Sequence, residues 1–107
     1  MISQDRLEKA LTFLAETDED CASLKADAAR AEFKAKAVRD AIFLREEGTV
    51  AERTARSGAS KEYAAAMGLH FDLLERYEGM RNKRGTEAIV IDTWRSLNAS
   101  RRAGNVT

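Results

Sequence analysis

The sequence predicts an all-α fold, an elongated antiparallel helical hairpin with a coiled-coil-like seam and a short helix at the turn. Three observations carry that expectation. Leu7, Ala10, Leu14, Thr17, Cys21, Leu24, Ala28, Ala31, Ala35, Val38 and Ile42 recur at alternating intervals of three and four. That spacing lines one stripe of an α-helix and holds it against a partner helix. The 107 residues contain no proline, 34% charged and 7% aromatic residues, which suits long solvated helices better than a sheet or a disordered tail. Gly48 and Thr49 form a stop followed by a start, so a second arm can return along the first.

The length corresponds to a single helical domain. Its first arm is expected over residues 4–47, because Ser3 can cap a helix beginning at Gln4 and no strong breaker precedes Glu47. Thr17 and Asp20 have capping-box spacing and would allow a split there. Continuity is favoured, since the heptad register passes through this acidic stretch without a skipped position. Leu24, Ala28, Ala31, Ala35, Val38 and Ile42 are the expected seam-packing residues. The alanines among them let two helix backbones approach closely.

A turn with a short helix is expected over residues 48–60. Gly48 suits a left-handed stop, Thr49 and Glu52 form a T-x-x-E capping box, Val50–Arg56 is helical, and residues 57–60 read as loop. Ser60 then caps a second arm over residues 61–101, with Tyr63, Met67, His70 or Phe71, Leu74 and Tyr77 on one face. The apolar stripe lapses over residues 81–85, and Gly85 followed by Thr86 predicts a kink or break there. It resumes as Ala88, Ile91 and Trp94, or as Val90, Trp94 and Leu97. Residues 102–107 have no apolar periodicity and are expected to fray. One seam cannot hide an apolar content of 44%, so a homo-oligomer, a dimer in the first instance, is expected.

Little chemistry is encoded. His70, the only histidine, falls on a buried face and reads as core, and Cys21 lies on the seam as a small hydrophobe. No nucleotide-binding glycine pattern, metal-ligand spacing or triad spacing is present. The expectation is therefore a protein that is not an enzyme, with no catalytic residue, cofactor or metal. Eighteen acids balance eighteen bases, so no general attraction to nucleic acid or an acidic membrane follows. No apolar run is long enough to span a bilayer, a single cysteine excludes an internal disulfide, and no secretion signal is evident. A soluble, cytoplasmic protein is expected.

The charges are unevenly placed. Residues 1–20 hold the acids Asp5, Glu8, Glu16, Asp18, Glu19 and Asp20, whereas Arg81, Lys83, Arg84, Arg95, Arg101 and Arg102 make the C-terminal segment basic. With Trp94 and Asn98, those six cations form the candidate site for nucleic acid or a protein partner: arginine neutralises phosphate, an indole stacks on a base, and an amide reads an edge. The competing reading is structural. Trp94 and Leu97 would anchor the last turns on the first arm while the arginines meet its acidic beginning, and antiparallel geometry favours this.

Residues 46–53 (EEGTVAER), Tyr77-Glu78, residues 81–84 (RNKR) and residues 94–102 (WRSLNASRR) together resemble small helical phage and prophage proteins associated with DNA-recombination gene regions that encode single-strand-annealing proteins. The similarity covers most of residues 20–105, and its tryptophan-arginine-serine-leucine-asparagine ending is the most specific part. It implies a non-enzymatic phage accessory protein in the host cytoplasm, assisting or modulating DNA recombination or repair by binding a protein partner, DNA, or both. A helical inhibitor of a host enzyme or defence complex is the alternative, and a virion structural or assembly protein the third reading.

Overall fold

Ser3 begins the first helix as its sequence context requires: its hydroxyl accepts the backbone N–H of Arg6 at 3.1 Å, satisfying one donor of the first turn. The computed structural model describes residues 2–106, with side chains through residue 104. It comprises α1 (Gln4–Arg45), α2 (Val50–Gly58) and α3 (Lys61–Val106). The fold is all-α, and α1 and α3 pack antiparallel as a hairpin. They contribute to two compact units. A terminal unit joins the segment through Cys21 to the segment from Glu78 onward, and a turn unit is Ala22–Tyr77.

α1 continues through Thr17–Asp20. The Thr17 hydroxyl donates back to the Phe13 carbonyl at 2.7 Å, the bond of a helix-interior threonine rather than a cap. The helix stops at Arg45, two residues before the expected end. Gly48 follows with φ of +117°, where a side chain would be strained and a Cβ would come within 2.8 Å of Glu52 Oε2. Thr49 caps α2 by accepting the Glu52 N–H at 3.2 Å, and its own hydroxyl donates to Glu52 Oε1.

α2 runs two residues beyond Arg56, correcting the expected loop over 57–60. Ser57 is buried and donates its hydroxyl to the Thr54 carbonyl at 3.0 Å, which lets it remain in the helix. Only Ala59 and Ser60 connect α2 to α3. Ser60 caps α3 by accepting the Tyr63 N–H at 3.2 Å while donating to the Ser57 carbonyl at 2.9 Å.

α3 differs most from expectation. It has no break at Gly85 and stays helical to Val106, whereas a kink near 85 and a frayed 102–107 were expected; Thr107 lies outside the described residues. Thr86 donates to the Asn82 carbonyl at 3.2 Å, so it too is a helix-interior residue and caps nothing. Among the described residues, no helix is long and apolar enough to cross a membrane.

In the turn unit the core is made of small residues. Ala28, Ala31, Ala35 and Ile42 are buried together with Ser57 and His70, while Leu24 and Val38 are half-buried. His70, not Phe71, occupies the inward position, and its Nδ1 lies 2.9 Å from the Ala28 carbonyl. That bond requires a proton on Nδ1. In the terminal unit Ala10 and Ile91 are buried and Leu7, Leu14, Val90 and Trp94 half-buried.

Candidate functional site

The C-terminal cations and aromatics singled out by sequence lie on α3 in the terminal unit, and the helix distributes them over different faces. Arg84 turns inward. Its Nη1 donates to the Leu14 carbonyl at 2.8 Å and to Thr17 Oγ1 at 2.7 Å, and its Nη2 reaches Asp18 at 3.2 Å. The side chain is 21% exposed, so this guanidinium is committed to α1. Arg81 and Arg95 face solvent 3.6 Å from Glu78 and 3.9 Å from Asp92 on their own helix. Lys83 and Arg102 are exposed.

Trp94, Asn98 and Arg101 do converge. With Ile2 and Leu97 they line a small cleft beside the start of α1. Spacings of four and three put all three on one side of α3, and Trp94 and Asn98 are half-buried there. The indole therefore presents only part of its surface to a base.

Sequence reasoning missed an ion pair in the same unit. Arg6 grips Glu87 in a fork, Nη1 to Oε2 at 2.6 Å and Nη2 to Oε1 at 2.9 Å, the bidentate geometry that makes arginine–carboxylate pairs strong. These hydrogen bonds, followed by the guanidinium charge, hold the Glu87 carboxyl below the usual carboxylate range against the opposing effect of desolvation. The signal was hidden because Glu87, a charged residue, lies between the lapse of the apolar stripe over 81–85 and its expected resumption at Ala88.

The turn unit presents a different surface. Phe33, Leu44, Val50, Leu69 and Phe71 are 55–76% exposed. A groove between α1 and α3 is lined by Asp27, Arg30, Ala31, Lys34, Leu69 and Leu73. Asp27 pairs with Arg30 at 2.5 Å. Around the turn, arginines fix the chain: Arg53 stacks 4.2 Å from the Phe43 ring and donates Nε to its carbonyl, and Arg56 donates to the Glu47 carbonyl. Glu62 at the start of α3 has its carboxyl lowered first by its own backbone N–H and then by Arg45 at 3.3 Å.

No protein-family model, curated protein or solved structure matches the chain. Among the described residues, no group of three or more histidine, cysteine or acidic side chains could hold a metal. Every buried side-chain nitrogen and oxygen among them has a hydrogen-bond partner. The turn unit instead leaves large apolar side chains exposed.

Proposed function

We propose that the chain is a non-catalytic accessory protein of phage DNA recombination, which self-associates and binds a protein partner through apolar side chains on its helices. One observation carries this reading. The turn unit buries alanines and leaves Phe33, Leu44, Val50, Leu69 and Phe71 outside, the reverse of what the stability of an isolated unit would select. Large apolar side chains left in solvent are a common feature of protein contacts. The resemblance of the turn and C-terminal motifs to proteins of recombination regions supplies the context, and a single-strand-annealing protein is the partner class it suggests. The C-terminal cations are secondary, because Arg84 is spent on α1 and Trp94 is half-buried.

Co-expression with a phage single-strand-annealing protein tests the proposal. The two are expected to co-purify, and Phe33→Ser combined with Phe71→Ser to abolish co-purification while circular dichroism stays unchanged. Co-purification indifferent to both substitutions would overturn the assignment of the contact to these side chains.

A further inference from the structure

The groove beside Ala31 carries opposite charges on its rim, Asp27 and Lys34. Asp27 and Lys34 are seven residues apart on α1, two turns along the same side of the helix, and Ala31 lies between them. A two-fold axis near Ala31 that brings a second α1 alongside in antiparallel sense would set each Lys34 against the other chain's Asp27. An isologous contact requires this pattern, in which residue i meets j and j meets i. Among the described residues Lys34 has no carboxylate within ion-pair distance. Asp27 spends one oxygen on Arg30 and keeps further acceptor capacity.

The wall of the groove is apolar. Leu69 is 55% exposed, Leu73 is half-buried, and both line the groove with Ala31. The same two-fold axis would carry Leu69 of one chain to the leucine wall of the other.

We infer that the groove lined by Asp27, Arg30, Ala31, Lys34, Leu69 and Leu73 is the site at which a second copy of this chain docks, antiparallel about a two-fold axis near Ala31. The inference deepens the reading of the chain as a self-associating module and names the surface that does it.

Two charge reversals test it together. Asp27→Lys gives a dimer two lysine–lysine contacts, and Lys34→Asp gives it two aspartate–aspartate contacts. Each variant alone is expected to dissociate, its dimer weakened at least about tenfold by like charges. Mixed in equal amounts, the two restore both pairs, so native mass spectrometry should find heterodimers in large excess over either homodimer. Leu69→Asp should give a monomer of unchanged helicity by circular dichroism. A wild-type monomer at micromolar concentration, or variants that stay dimeric and mix statistically, would overturn the inference. Co-purification of a recombination protein with a monomeric chain would leave the partner-binding part of the proposed function standing while self-association through this surface failed.

Discussion

Arg84 occupies a position that a coiled-coil seam usually gives to an aliphatic side chain. It is tolerated because α1 offers it the Leu14 carbonyl, the Thr17 hydroxyl and the Asp18 carboxylate at 2.8, 2.7 and 3.2 Å. Hydrogen bonds from a charged donor stabilise by about 1.5–3 kcal/mol each when their loss leaves acceptors unsatisfied. Thr17 and Leu14 also retain bonds within α1, so Arg84→Ala should cost about 1–3 kcal/mol in urea unfolding. Arg84→Met should cost less, because a methionine of similar reach fills the seam without a charge to desolvate. Equal losses for both would show that the hydrogen bonds, and not packing, fix this residue. Glu87 allows a separate test by pH. Its pKa is lowered in the folded chain by Arg6, so its contribution to stability is complete above the unfolded carboxyl value and disappears as pH falls through the lowered one. Acid unfolding of wild type should therefore steepen below the ordinary carboxylate range, and Glu87→Gln should flatten that limb; identical acid profiles would mean that the fork contributes nothing.

At the scale of elements, α3 shows what the sequence conceals. Tyr63, Ala66, His70, Leu73, Tyr77, Met80, Arg84, Glu87, Ile91, Trp94 and Asn98 alternate by three and four, and every one is buried or half-buried. The heptad never lapses. An apolar reading loses it where Arg84 and Glu87 take seam positions, since their suitability depends on Thr17, Asp18 and Arg6, which lie more than sixty residues away in sequence. The α1 stripe was legible because its occupants are apolar or small from Leu7 to Ile42. Local capping at Ser3, Thr49 and Ser60 was legible for the same reason, each cap bonding to a residue three positions on. The groove at Ala31 was not, because Leu69 and Leu73 reach it only through the pairing of two helices. Gly85 misled together with the lapsed stripe and Thr86: glycine lowers helix stability by about 1 kcal/mol, which seam contacts on both sides outweigh. A Cβ at Gly85 would meet no atom within 4 Å. Gly85→Ala is therefore expected to stabilise the chain by about 0.5–1 kcal/mol, measured by thermal unfolding, and a destabilising alanine would argue for a bend that the glycine permits.

For the molecule as a whole, a formal charge of zero removes the long-range attraction on which nonspecific DNA binding depends. Part of the remaining asymmetry is spent internally in the terminal unit, through Arg84 with Asp18 and Arg6 with Glu87. On the proposed reading, function falls to surfaces, and among the described residues the turn unit holds the most exposed apolar side chains. The most direct measurement is a binding comparison on immobilised protein, with single-stranded DNA and a single-strand-annealing protein presented separately over a series of salt concentrations. The expected result is protein binding that persists at physiological salt, with DNA retention negligible even at low ionic strength. DNA retained at low salt with a log–log slope near about −3, as roughly four phosphate contacts would give, and no retention of the protein, would contradict it.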